Sequence, residues 1–297
     1  MRRKATRDCA LIVPFQWIGL FAMLAVFAVM FAIGLMLGRE QFEAALQRRV
    51  VLLAVVFAVV VPVPALAVLA LKVFGLKGSV ALGIALMAIS PGAPVALRRA
   101  LDAGASRAFS PALHLAIVMM AVLTVPATVV ILDWIFAAGF TITPFHIGRQ
   151  VFFAQLLPMA LGATLRALRP ALAARLESPL VRIGNLLLLA LAILVLADMP
   201  AIIGAVGWTP TLAGIGITVC ALAVGAAFAW RDPDVRPAAA IAAAMRNPGL
   251  ALVIATVNDA PPAVTAAVIG YALGLGLTII AFLQWRKRRS GGLAAPA

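Results

Sequence analysis

Long apolar runs, separated by short connectors that carry most of the arginines, set the pattern of this chain. A helix needs roughly 17 to 25 apolar residues to cross a hydrocarbon core about 30 Å thick. On that criterion the pattern predicts nine spans, at about 16–38, 50–71, 78–103, 108–132, 148–165, 180–198, 209–230, 235–258 and 262–284. Two of them are interrupted, at Ser90-Pro91-Gly92-Ala93-Pro94 and at Arg246-Asn247-Pro248-Gly249, and each is followed by one last long apolar helix. Unwound backbone inside hydrocarbon leaves N–H and C=O groups unpaired unless protein or ligand satisfies them. Broken helices at matching places in two halves therefore point to a transporter's binding site.

The order of the elements repeats. Read backward from the C-terminus it is a long helix, a broken helix and three plain spans. Read backward from Asp133 it is a long helix, a broken helix and two plain spans. The expectation is an all-α polytopic membrane protein built as a 5 + 5 inverted repeat whose first helix is missing. Residues 1–135 form the first repeat, with its broken helix at 78–103. Residues 136–285 form the second, with its broken helix at 235–258, and 286–297 are a basic cytoplasmic tail.

Composition agrees with a membrane protein: 65% of residues are hydrophobic and the mean hydropathy is +1.13, against about half apolar in a soluble domain. The formal charge of +14 gains meaning from its placement. Connectors on one face carry sixteen Lys and Arg, from Arg39 to Arg289, while the other face and the N-terminal tail carry seven. The positive-inside rule places the C-terminus in the cytoplasm, and the expected location is the cell's inner (plasma) membrane. Arg2, Arg3, Lys4 and Arg7 oppose that orientation, and an extra partial segment between Cys9 and Gly38 would reconcile them. The basic residues read as topology signals and contacts to anionic lipid rather than to nucleic acid. The uncharged run that follows the basic start is too long for a cleaved leader and reads as a retained helix. Two cysteines, Cys9 and Cys220, supply no disulfide or metal framework.

Arg246 is the cation expected near the bilayer midplane, and an intramembrane charge marks a functional site by default. The half-helix after Pro248 would present the N–H groups of Gly249, Leu250 and Ala251, and the one from Pro94 those of Val95, Ala96 and Leu97. Both ends carry partial positive charge. Together with Arg246 they would bind an anion, with the Asn247 amide selecting among oxygen-bearing ligands or capping the broken backbone. Arg246 itself has a second reading, as a cap for exposed carbonyls. His114, one turn beyond Ser110, offers proton exchange near neutral pH or simple packing. Thr124 and Thr128 are expected to bond their own helix, and Gln155 and Asn185 to act as glue between helices.

The sequence resembles the bile acid:sodium symporter family. Ser90-Pro91-Gly92-Ala93 is similar to its first broken helix and Met245-Arg246-Asn247-Pro248-Gly249-Leu250 to its second. Met30-Phe31-Ala32-Ile33-Gly34-Leu35 with Phe42, Pro62, and Pro158 with Gly162 add to the likeness. The resemblance implies nine or ten helices divided into panel and core domains. It also implies sodium-coupled uptake of bile acids or smaller organic anions at the crossing broken helices, with Asn247 at a ligand-contacting position. The chain departs from the family pattern where sodium ligands are implied. Phe57 stands for a glutamine, Ala96 and Leu97 for a serine and an asparagine, Ala242 for a glutamate and Arg246 for a glutamine. Ser110 is kept, and His114 replaces a threonine. Losing a carboxylate and gaining a guanidinium opposes a small hard cation.

The expectation is a secondary active transporter of a small organic anion by alternating access, with no resident cofactor or metal and substrate at Arg246, Asn247, Gly249, Pro94, Val95 and Ala96; the coupling ion is left open between proton or ion coupling at His114 and Ser110 and uniport. The alternative is a transport-inactive sensor or structural membrane protein that retains the fold. An intramembrane enzyme lacks support, because the spans hold no paired carboxylates and no serine–histidine arrangement.

Overall fold

A computed structural model describes residues 15–136, 143–197 and 199–291, and among these every regular element is helical. The basic N-terminal residues, Cys9 and Asp198 lie outside the described residues.

The first expected span is α1 (Phe15–Leu35), and the chain then turns by 80° into the short α2 (Arg39–Gln47). The second is α3 (Arg49–Val60) and α4 (Pro62–Val73), jointed at Val61. Pro62 and Pro64 cannot donate to the carbonyls one turn back, which weakens the ladder at that joint. The broken 78–103 span is α5 (Gly78–Ala88) and α6 (Ala96–Asp102), followed by α7 (Ser110–Phe136). Next comes a continuous run made of α8 (Pro144–Val151), a π-helical turn at Phe152–Leu156 and α9 (Leu157–Leu168).

Beyond it lie α10 (Pro170–Ala197), α11 (Met199–Val206), α12 (Thr209–Phe228), α13 (Arg236–Ala244), α14 (Pro248–Val257) and α15 (Pro262–Gly291). Three boundaries differ from expectation. Helix α10 begins at Pro170 rather than near 180, because proline is favoured at a first helical position. Helix α11 lies in what read as a connector. Helix α15 runs through Arg286–Arg289 to Gly291, so the described part of the basic stretch is helical. Cations suit a helix C-terminus.

Six helical runs among the described residues are long and apolar enough to cross a membrane, or seven if the bent α1–α2 pair is one span. This is fewer than the nine expected. The two not among them are the broken α5–α6 segment, which falls short as separate pieces, and the 180–198 span, which lies within α10.

Packing sorts the helices. α1 lies against α9 and α10, while α12, α13, α15 and α5 pack on one another with α3, α6, α7 and α14 around them. Small residues allow the close approaches, as is usual where lipid supplies no hydrophobic drive. A Cβ on Gly162 would overlap the Phe31 carbonyl, and one on Gly34 would overlap that of Met159. Met30 and Ile33 of α1, with Leu37 in the turn beyond it, join Leu97, Val118 and Met159 in a small apolar cluster that links the two groups.

Candidate functional site

Each break follows from its prolines. Pro91 and Pro94 push the residues before them out of the helical region, and Gly92 adopts φ of 75°. Pro248 does the same to Asn247, which is extended at φ −96° and ψ 96°. The backbone left over is then satisfied between the two breaks: the Asn247 N–H donates to the Ser90 carbonyl at 2.7 Å. This bond joins the two interrupted helices.

Around it the side chains are buried. The Asn247 side-chain oxygen accepts from the Leu250 N–H at 3.1 Å, and its Nδ2 reaches the Gly92 carbonyl at 3.5 Å. Asn247 therefore caps α14 and ties it to the first break. The expectation of a free N–H at Leu250 is corrected, because the cap consumes it, and the Ala251 N–H donates to the Asn247 carbonyl. The Pro94 end is corrected too. Helix α6 starts at Ala96, whose N–H donates to the Ala93 carbonyl at 2.9 Å, and it runs only seven residues. The Leu250, Ala251 and Ala96 N–H groups are therefore bonded within the protein. Gly249 lies against the Asn247 cap, 3.3 Å from Oδ1 for a Cβ built on it.

Arg246 is 1% exposed. Its Nη2 donates to the Val59 carbonyl at 3.0 Å, while Nε and Nη1 are buried without a partner. The carbonyl belongs to the last turn of α3, beside the proline joint, so part of the capping reading for Arg246 holds, though toward another span. A guanidinium has five donors in a fixed fork, and one bond leaves most of that fork for something else. Tyr271, buried on α15, lies within electrostatic reach of Arg246. Phe57, in the same turn as Val59, turns outward, half-exposed against Phe228.

Ala96, Leu97, Ser110, His114 and Ala242 do converge, with Ala100, Leu113 and Ala238, on one cavity of about 10 Å³, the room of a single water. Ser110 Oγ donates to the Ser106 carbonyl at 2.6 Å, and His114 Nε2 is buried without a partner. Ala96 thus faces this cavity. One hydroxyl and one imidazole do not form the oxygen-rich cage that a hard cation needs. Thr124 and Thr128 bond the Met120 and Thr124 carbonyls, as expected of their own helix.

Gln155 departs from its expected role. It is 1% exposed and neither Oε1 nor Nε2 has a partner, so it glues nothing. Its oxygen sits against Gly92, 2.9 Å from where a Cβ would stand. No motif in the sequence marks it. The only local sign is Pro158, which leaves a carbonyl one turn back without its donor, next to the π turn.

The sequence model described as Sodium Bile acid symporter family matches residues 23–204, more than half of the 297-residue chain. The matched stretch contains the first break and the Ser110–His114 cavity wall, and it ends before the second break. None of the curated proteins compared with the chain matches it.

Proposed function

We propose that this chain, which belongs to the Sodium Bile acid symporter family and is a multi-pass membrane protein of transporter type, carries a small organic anion by alternating access without bound sodium at the second break. The carrying observation is the buried guanidinium of Arg246, with Nε and Nη1 unpartnered, next to the bond that joins the two breaks. A permanent charge tethered there plays the part that a co-bound cation plays elsewhere: it offsets the negative charge of the substrate during the crossing. The alanine and leucine positions of the small cavity support the same reading, since they offer no ligands to a hard cation.

His114 then supplies the coupling, taking up a proton at Nε2 on one side of the membrane and releasing it on the other. The helices divide into a panel of α1, α9 and α10 and a core holding both breaks, related as an inverted repeat, and substrate enters where these groups meet. With the Arg-rich connectors inside, the C-terminus is cytoplasmic; the membrane assigned to it in this reading is the inner (plasma) membrane.

Uptake of labelled taurocholate and succinate into proteoliposomes tests this reading. Saturable flux that survives sodium removal, responds to an imposed pH gradient and vanishes in Arg246→Gln is expected. Unchanged substrate affinity in Arg246→Gln overturns the tethered-cation role. Flux blind to the proton gradient overturns the role of His114, and absence of any saturable flux favours a transport-inactive protein.

A further inference from the structure

Gln155 is held at the first break by its own span. Val151, Gln155, Met159 and Gly162 recur at helical spacing, and all four are buried. The π turn at Phe152–Leu156 sits within that stripe, and such turns re-aim side chains and are frequent at functional sites. Gly162 locks the stripe against α1, where a Cβ would overlap the Phe31 carbonyl. The amide therefore has little freedom to retreat, and its oxygen fills the space beside Gly92.

A structural glutamine at such a depth would be bonded, since buried polar groups nearly always are. This one is not, at either end of the amide. Gly92 also meets Asn247, whose Nδ2 approaches the Gly92 carbonyl at 3.5 Å. Two amides thus meet at one residue of the break, one from the cap of α14 and one from the span that packs on α1 and α10.

We propose that Gln155 is a specificity-determining residue of the anion site, contacting the ligand from the α9 side of the break. The inference rests on the reading of Arg246 as the anion's counter-charge. The chemistry of the amide names the ligand class. Its N–H₂ donates to a carboxylate oxygen, whereas its unpaired carbonyl accepts only and is repelled by a bare carboxylate. The ligand that satisfies both ends carries a hydroxyl or N–H donor beside its carboxylate. A site with a polar group to satisfy discriminates strongly against the analogue that lacks the matching group.

Two matched pairs of acids that differ by one hydroxyl, propionate with lactate and succinate with malate, test this by titration of the purified full chain, read as thermal shift and as equilibrium affinity. In the wild type the hydroxy acid of a pair binds about tenfold tighter than its parent. Gln155→Met brings that ratio close to unity while the unliganded protein melts at the same or a higher temperature. A Gln155→Met protein that keeps the wild-type ratio overturns the inference, and so does one that melts lower without ligand, because the amide was then a packing residue. Arg246→Gln separates the two claims. If it abolishes binding while Gln155→Met leaves the ratio intact, only the role of Gln155 falls. If none of the four acids shifts the wild type, this inference falls, and if taurocholate does not shift it either, the anion reading falls with it.

Discussion

Replacing Arg246 with methionine should make the unliganded protein more stable. The side chain is 1% exposed, with one hydrogen bond, to the Val59 carbonyl, and two nitrogens without partners. Each unsatisfied buried donor group costs about 1 to 3 kcal/mol, and a bond from a charged group returns about 1.5 to 3 kcal/mol. Methionine keeps an unbranched side chain to fill the space and removes both penalties, at the loss of the single bond. The net expectation is a gain of about 1 to 3 kcal/mol, the direction found when buried charges give way to apolar residues. For a chain of this size that is on the order of 5 °C in Tm. Thermal unfolding of the detergent-purified protein, followed by tryptophan fluorescence with and without taurocholate, measures it. The variant should melt higher and lose its ligand-induced shift. A Tm lower by several degrees would refute the reasoning: the guanidinium would then be a satisfied structural group and not a charge held ready for a ligand.

Other perturbations separate packing from function. His114→Leu should leave stability unchanged or raise it by about 1 to 3 kcal/mol, because Nε2 has no partner to lose, while uptake driven by a pH gradient disappears; both are read on the same reconstituted sample. Gly162→Val should destabilise by about 1 to 3 kcal/mol or more, since the added atoms meet backbone of Phe31 and Gly34 that cannot step aside; thermal unfolding checks it. Arg48 and Asp234 pair at 2.6 Å with both side chains partly exposed, so Asp234→Asn should shift stability by at most about 1 kcal/mol, and less in high salt, measured by a double-mutant cycle with Arg48→Gln.

Much of the architecture was readable along the chain because the signals involved are local. Runs of apolar residues placed the helices, and the pairs Pro91–Pro94 and Asn247-Pro248 placed the breaks within a residue or two, since proline acts on its immediate neighbours. The site was less readable. Asn247 could cap, bind or do both, and its capping role shows only in its contacts with Leu250 and Gly92. Gln155 looked like any polar residue in a span, and its meaning depends on Gly92, far away in sequence, standing against it.

The amino-acid order by itself determined that this is a helical membrane protein with two interruptions and one arginine buried among apolar neighbours. Those features follow from hydropathy and from covalent limits on proline, which act within a few residues. The tertiary structure alone decided that the Asn247 N–H closes onto Ser90, that Arg246 reaches Val59, and that His114 and Ser110 share a cavity. A buried donor takes whichever acceptor the packing brings within about 3 Å, and that choice is made by helices distant in sequence.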